Sequence, residues 1–494
     1  MSAPHPEHFD VVVVGGGPAG STVSTLVAKE GRRVLQLEQA RFPRYQIGES
    51  LLPSTVHGIA KLLGVDAKIR EAGFVKKNGG TFLWGSSPEP WTFSFSYTSA
   101  LSGPTSFAYQ VERMKFDQIL LENARASGVS VREECSVTEV IETGDRVIGV
   151  RYRDSDGALR AVHCDYVVDA SGNKSRIRKY VGGSRDYSVF FRNLALFGYF
   201  EGGKRLDSPN SGNILCAAFE DGWFWYIPLT SELTSVGAVI RRDAADKIQR
   251  DPAAALQGLI ESCPIIKEYL SEAERVQDGP YGELRIRKDY SYCNSTFWKP
   301  GMVLVGDAAC FIDPVFSSGV HLATYSALLA ARSVNSVLAG EISESRAFEE
   351  FELRYRREYR VFHDFLVAFY GTHSDTSSYF WEAKRITECP RSELESFVEL
   401  VGGISSGETD LTASDNIANR LELRANAFAN AVSTGDAEHG ALHTNELVSD
   451  AMQESVKLQE QALLGIDASE DKPMFPGGLV SALDSIRWRE PRRR

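Results

Sequence analysis

Positive charge is in short supply in this chain. Its 54 Lys and Arg residues face 66 Asp and Glu, for a net charge of −12. A nucleic-acid protein would carry a basic footprint, so that class is set aside. Cysteine is sparse and irregular: seven residues, at 135, 164, 216, 263, 293, 310 and 389, with no Cys-x-x-Cys. An odd, scattered set fits buried thiols in a reducing cytoplasm rather than a disulfide frame or zinc site. The nine histidines include no His-Glu-x-x-His, and His163-Cys164 has no partner at metal spacing, so no metal is expected. No Gly-x-Ser-x-Gly elbow marks a serine hydrolase. The longest nearly apolar stretch, residues 318–338, contains His321, Arg332 and Asn335 and reads as a buried helix, not a membrane span. The first residues lack a basic region leading into an apolar core, so no secretion signal is expected and a cytoplasmic location is. Repeats and low-complexity tracts are absent.

What is present begins at residues 9–14, a Val-rich run with the character of a strand buried on both faces. Gly15-Gly16-Gly17-Pro18-Ala19-Gly20 follows, then a helix of small residues to about Glu30 and a second strand at 33–37 ending at Glu38. In such a β-α-β unit Gly15 permits the tight turn, Gly17 lets the backbone approach a pyrophosphate, and Gly20 allows close helix packing. The helix N-terminus attracts the phosphates, and Glu38 stands where an acid meets a ribose hydroxyl, with Gln39 beside it. A dinucleotide is therefore expected.

At 494 residues two or three units are expected. Alternating strands run from 129 to 164, a short strand covers 166–170, and 194–242 reads as sheet. Another buried strand spans 302–305, followed by a long helical region from about 319 to 381. Residues 405–443 are loose in pattern, 446–464 fit one amphipathic helix, and the basic tail 487–494 reads as a solvated, mobile terminus. Residues 223–228 read Trp-Phe-Trp-Tyr-Ile-Pro. Strand alternation puts Trp223, Trp225 and Ile227 on one face, a rigid wall of two indoles. Taken by itself, such a wall is more often plain core packing.

Three further segments turn the dinucleotide toward FAD: Arg113 and Asp117 within residues 110–117, Asp169-Ala-Ser-Gly-Asn-Lys-Ser175, and Gly306-Asp307-Ala308-Ala309. They resemble the signature set of glutathione-reductase-like FAD proteins. Phe311-Ile-Asp-Pro314-Val-Phe-Ser317-Ser318-Gly319, the Trp-x-Trp-x-Ile-Pro at 223–228, and residues 73–85 around Lys77 resemble motifs of the flavin-dependent halogenases, in the phenol- and pyrrole-type (variant B) branch. The resemblance runs from residue 9 to about 385. It implies an α/β fold: a discontinuous FAD-binding Rossmann domain at 1–190 and 295–385, an inserted mixed β-sheet substrate domain at 191–294, and a mostly helical, partly flexible C-terminal region at 386–494.

The resemblance also implies roles. Gly15, Gly17, Pro18, Ala19, Gly20, Glu38, Gln39, Arg113, Asp307, Pro314 and Gly319 would hold FAD, with Asp307 on the ribityl chain. The amides of Ser318 and Gly319 would hold chloride, where a helix start offers unpaired N–H groups. Hypohalous acid made at the flavin would be handed on by a lysine, and the motif selects Lys77 over Lys76. The wall at Trp223 and Trp225 would keep substrate from the flavin. Apolar neighbours would lower the lysine's ordinary pKa of about 10.4. A phenolic or tyrosyl substrate, free or on a carrier protein, is implied, in secondary-metabolite or antibiotic biosynthesis. No second Gly-x-Gly-x-x-Gly unit is found, so a separate flavin reductase is expected to supply FADH2. An FAD aromatic hydroxylase or related reductase, in which Lys77 is incidental, remains the alternative, as does a flavoprotein scaffold without turnover. The aromatic residues of 362–381 fit core, or the far end of a substrate tunnel.

Overall fold

The Val-rich run becomes the middle of a parallel sheet in the computed structural model, which describes residues 7–84, 89–97, 101, 103–220, 222–241, 248, 250–371, 398, 400–404, 473–482 and 484–491. Strands and helices are numbered along the chain. Strand β1 (Glu7–Val14) lies between β2 (Val34–Leu37) and β10 (Leu159–Asp169), parallel to both. Beyond them, β7 (Ser130–Arg132) and β18 (Met302–Leu304) continue the parallel order. β17 (Trp298–Lys299) closes one edge, and the hairpin β8 (Ser136–Thr143) and β9 (Arg146–Arg153) pairs with the early part of β10. Val11, Val12 and Val13 are fully buried because helices cover the sheet, as a continuous apolar strand requires. One of these helices, α1 (Pro18–Lys29), packs on α5 (Gly319–Leu338).

A second sheet has nine strands in the order β19-β16-β11-β14-β13-β12-β4-β5, with β15 (Glu274–Arg275) pairing β11. Its centre is β11 (Arg185–Glu201), β14 (Leu233–Arg241), β13 (Gly222–Pro228) and β12 (Ile214–Phe219). It also recruits strands from outside the expected 191–294 insertion: β4 (Gly79–Leu83) and β5 (Trp91–Ser94) on one side, β19 (Cys310–Phe311) on the other, next to β16 (Arg285–Asn294). The strands flanking Lys77 and the loop at 311–319 are thereby stitched to one sheet. Alternation divides this sheet. Phe224 and Tyr226 face helices α3 (Pro252–Glu261) and α4 (Pro264–Tyr269), whereas Trp223, Trp225 and Ile227 join the large core shared with the FAD-type unit.

The helical region expected over 319–381 is two helices, α5 and α6 (Glu344–Gly371), separated where Gly340 takes a φ of 74°. Glycine accepts that left-handed turn without strain. Tyr379, Phe380, Trp381, the 405–443 segment and the helix expected at 446–464 lie outside the described residues.

The expectation of a solvated tail is overturned for residues 487–491. β20 (Val480–Ser481) and β21 (Trp488–Arg489) form a hairpin, and Trp488 is buried against α5. Its ring lies 5.0 Å from the Arg332 guanidinium and 4.8 Å from that of Arg354. Its indole N–H donates to Ser333 Oγ at 2.9 Å, and Arg487 pairs with Glu30 and Glu341. An aromatic anchor among basic residues outweighs the solubility of the charges around it.

Candidate active site

The glycine-rich turn is shaped to admit a ligand at one glycine and to pack backbone at the others. A Cβ on Gly15, which has φ 112°, would stand 2.4 Å from Ala170 O, and one on Gly20 would stand 2.0 Å from Gly15 O. At Gly17 the nearest atom to such a Cβ is Arg44 Nη2, at 3.3 Å, so the turn stays open beside a cation. Gly17 caps α1, with Pro18 in its first turn and Ala19 buried behind it. Glu38 is buried and accepts from Gly16 N at 2.5 Å and Ala40 N at 2.7 Å, which fixes the end of β2; Gln39 is exposed.

Arg113 starts the helix α2 (Arg113–Ala126). It donates to both carboxylate oxygens of Asp117, at 2.8 and 3.0 Å, and to the carbonyls of Ile47 and Gly48 at 2.6 and 3.1 Å. Four of its five N–H groups are thus spent on protein acceptors. Arg44, at 2.9 Å from the same Asp117, completes the cluster. Asp169 is used internally as well, accepting from the Ser171 amide and hydroxyl and from the Ser175 hydroxyl. Asp307 differs. Its side chain is half-buried, receives no hydrogen bond from the described residues, and is pushed up to about 6 by desolvation, against the pull of Arg113 and Arg185. Gly306 brings it close to α1: a Cβ there would be 3.4 Å from Ala19 Cβ.

Lys77 ends β3 (Val75–Lys77), which pairs with β6 (Ala108–Gln110). The pleat separates the two lysines as alternation requires. Lys76 is exposed, its ammonium 4.4 Å from the Phe107 ring centroid. Lys77 is 3% exposed. Its Nζ donates to Ser50 Oγ at 2.9 Å and Leu51 O at 3.1 Å and lies 5.6 Å from the Phe95 ring centroid. Burial lowers its pKa to about 7, so a substantial fraction of the amine is neutral at physiological pH. The preceding Glu49 is buried, accepts from Tyr199 Oη at 2.7 Å, and is pushed up to about 7 by the same desolvation. His57 is structural: its Nε2 bonds Phe107 O at 2.8 Å.

The two indoles of the wall have centroids 6.3 Å apart, with Trp84 6.2 Å from Trp223. Trp225 donates to Ser235 Oγ at 3.1 Å; the Trp223 indole N–H is buried without a partner. Trp225 lies across Gly237 on β14, where a Cβ would stand 2.3 Å from its ring. Opposite, Trp225 pairs with Cys216, whose thiol is close enough to Lys77 to feel its charge.

Residues 311–319 turn sharply into α5. Asp313 Oδ1 accepts from Val315 N at 3.1 Å and Oδ2 from Tyr370 Oη at 2.9 Å. Pro314 is exposed at the start of the turn, and Ser317 adopts φ 60°, uncommon for a residue with a side chain. The α5 ladder starts with Leu322 N–H to Ser318 O, which leaves the amides of the first turn without an intrahelical acceptor. The Ser318 hydroxyl is buried and unpaired, and a Cβ on Gly319 would meet nothing within 4 Å. Phe316 packs on Phe365 and Phe369 of α6 at 5.0 and 4.8 Å, so this part of the aromatic segment is core.

A family model described as tryptophan halogenase matches residues 10–103 and 97–431. The chain belongs to the flavin-dependent halogenases. It is 34% identical over 385 residues to the tryptophan 2-halogenase of Chondromyces crocatus (77% of this chain, 71% of that one) and 32% identical over 387 residues to the halogenase gsfI of Penicillium aethiopicum (72% and 70%). Among solved structures, the myxobacterial chondrochloren halogenase CndH, described as a variant of FAD-dependent halogenases, is 49% identical with a TM-score of 0.75, covering 98% of this chain and all of that one. The brominase Bmp2 is 28% identical with a TM-score of 0.71 over 85% of this chain. The α/β fold with its Rossmann-type FAD-binding unit is thus the family's. Among the described residues of this halogenase no helix is long and apolar enough to cross a membrane, and no His, Cys, Asp and Glu cluster suits a metal.

FAD fits this halogenase on its own geometry: an open Gly17 turn flanked by a cation, and at Asp307 a carboxylate with no donor among the described residues. Sequence reasoning missed Arg44 and Ser50. Arg44 carried no signal, since its partner Asp117 lies 73 residues away. Ser50 sits in Gly48-Glu49-Ser50, a motif visible in the sequence, but its bond to Lys77 was not.

Proposed function

We propose that this halogenase installs chlorine on an electron-rich aromatic, a phenol or tyrosyl group, and that Lys77 is the residue that delivers the halogen. FAD, bound as FADH2 by Gly15, Gly17, Pro18, Ala19, Gly20, Glu38, Gln39, Arg113, Asp307, Pro314 and Gly319, supplies the electrons with which O2 and halide yield hypohalous acid. The amides of Ser318 and Gly319 hold the halide, and Trp223 and Trp225 keep the aromatic substrate from the flavin.

The buried Lys77 amine carries this reading. Its lowered pKa leaves a neutral amine that either hydrogen-bonds hypohalous acid or takes its halogen, releasing water and forming an N-halo amine. The halogen then passes to the ring, the ring's hydrogen returns to nitrogen, and Lys77 is restored. A hydroxylase needs no such amine. With one glycine-rich dinucleotide turn in the sequence, a separate flavin reductase is the source of FADH2. The substrate is free or held by a carrier protein, and the setting is cytoplasmic secondary-metabolite or antibiotic biosynthesis.

The test is the purified chain with FAD, an added flavin reductase, NADH, oxygen, chloride or bromide, and a panel of phenols. Halogenated product is expected, absent in Lys77→Ala at an undiminished rate of FADH2 oxidation. Hydroxylated product indifferent to halide would refute the proposal.

A further inference from the structure

A second buried polar cluster lies one helical turn from the proposed halide site and takes no part in the chemistry above. His321, two residues after Gly319, is 1% exposed; Glu358 of α6 and Ser54 are 2% and 0% exposed. His321 Nε2 is 2.8 Å from Glu358 Oε1, and Nδ1 is 2.9 Å from Ser54 Oγ. In the Nε2–H tautomer the ring donates to the Glu358 carboxyl and Nδ1 accepts the Ser54 hydroxyl. Ser54 opens a π-helical turn, Ser54–Ile59, a rare element enriched at functional sites. It follows by three residues the Ser50-Leu51 strip that holds the Lys77 amine. The described C-terminal residues 400–404 close over the pair. Gly402 O accepts from Ser54 N at 3.2 Å, and a Cβ on Gly403 would stand 2.5 Å from Ser54 Oγ and 2.9 Å from His321 Nδ1.

We infer that Ser54–His321–Glu358 is a positioning brace that fixes the separation between the Lys77 strip and the first turn of α5, capped by the Gly402-Gly403 turn. Of the links between these two segments, this one joins side chains buried on both sides, so it holds a short distance rigidly. The inference rests on Lys77 as the delivery residue and on the Ser318–Gly319 amides as the halide site. A brace acts by setting Lys77 relative to the halide turn, not on substrate, so its loss leaves FADH2 oxidation intact and spoils the delivery of halogen.

The experiment compares the parent chain with Ser54→Ala, Gly403→Ala, Glu358→Gln, Glu358→Leu and Lys77→Ala, each with FAD, reductase, bromide, a phenol and a hypohalite scavenger. Ser54→Ala and Gly403→Ala are expected to keep FADH2 oxidation near the parent rate and to shift halogen from phenol to scavenger by about tenfold, the scale of a small misplacement in a positioned site. Glu358→Gln still accepts from Nε2–H and is expected to resemble the parent, whereas Glu358→Leu follows Ser54→Ala. Hydrogen exchange, which needs no turnover, is expected to quicken together in peptides covering 50–57 and 319–325 of Ser54→Ala. Normal partition and unchanged exchange in folded Ser54→Ala and Gly403→Ala would overturn the brace. If Glu358→Leu does not fold, those two variants decide. Parent-like partition in Lys77→Ala would instead overturn the delivery reading, and the brace with it.

Discussion

Replacing Lys77 with methionine should abolish halogenation and stabilise the protein at the same time. Methionine keeps the length and apolar stem while removing a charge that the site holds out of water. The fall from the ordinary 10.5 to about 7 sets the size of the effect. At about 1.4 kcal/mol per pH unit, it corresponds to roughly 4–5 kcal/mol disfavouring the charged amine in the fold. Ser50 Oγ and Leu51 O lose their donor, which offsets about 1 kcal/mol each. A net gain of roughly 2–3 kcal/mol remains. The sign with pH is fixed. Below pH 7 both folded and unfolded chains carry the proton, and the full penalty acts on the parent. Between 7 and 10.5 the unfolded chain binds more protons than the folded one, so parent stability rises with pH and the gain from methionine shrinks toward zero or below. With an unfolding entropy of about 2.1 cal/mol/K per residue, the gain moves the melting temperature of 494 residues by roughly 2–3 °C. Melts of both proteins at intervals from pH 6 to pH 10 measure it. A variant less stable at every pH, or a difference that stays flat across that range, refutes the argument that Lys77 is held in a dry site.

Other substitutions probe the neighbouring parts. Gly237→Ala pushes a methyl to 2.3 Å from the Trp225 ring and should lower stability by about 1–3 kcal/mol, read by thermal melting; an unchanged melt would mean the wall is not tightly seated. Asp307→Asn should stabilise the FAD-free chain above pH 6, where the half-buried, desolvated carboxylate is charged, with the gain fading as pH falls from about 6 toward 3.8, and should weaken FAD retention on a desalting column. Trp488→Ala should cost about 3–5 kcal/mol through loss of a buried indole, visible in the denaturant midpoint; a surface-like change under 0.5 kcal/mol would refute the anchored C-terminus.

Local rules carried far in this sequence. The glycine turn was legible because only glycine suits the backbone conformation at Gly15 and the close approach at Gly20. The faces of Lys76 and Lys77, and of Trp223 and Phe224, followed from a period of two. What escaped was set by partners distant in sequence. β4 pairs in parallel with β12 across more than 130 residues, which draws residues 79–94 into a sheet expected to be an insertion of its own. Trp488 finds Ser333 across 155 residues, so its tail looked solvated from composition alone. Arg113 shows a different limit. Its spacing from Asp117, four residues along a helix, was readable as an ion pair, yet the motif around it drew attention to the cofactor.

Several departures from ordinary packing rules fall on the segments around Lys77 and the start of α5. A lysine is buried with neutral acceptors and, among the described residues, no carboxylate hydrogen-bonded to it. An aspartate has no donor among the described residues. A serine hydroxyl and an indole N–H are buried unpaired, and a serine takes a left-handed φ at the mouth of a helix. Each departure opposes stability, and a single one would be unremarkable. Lys77, Trp223 and the Ser317-Ser318 pair come from three chain segments, and the second sheet and the loops joined to it hold those segments against one core. A methionine at 77 or an alanine at 318 would satisfy the core at once. On the proposed function the same features suit a site for an aggressive oxidant: a dry space, an amine that is partly neutral at neutral pH, and anion-binding amides left open. On that reading the wall at Trp223 and Trp225 serves fold and chemistry with the same atoms. The indoles fill the core, and on the proposed function the volume they occupy is volume the substrate does not enter.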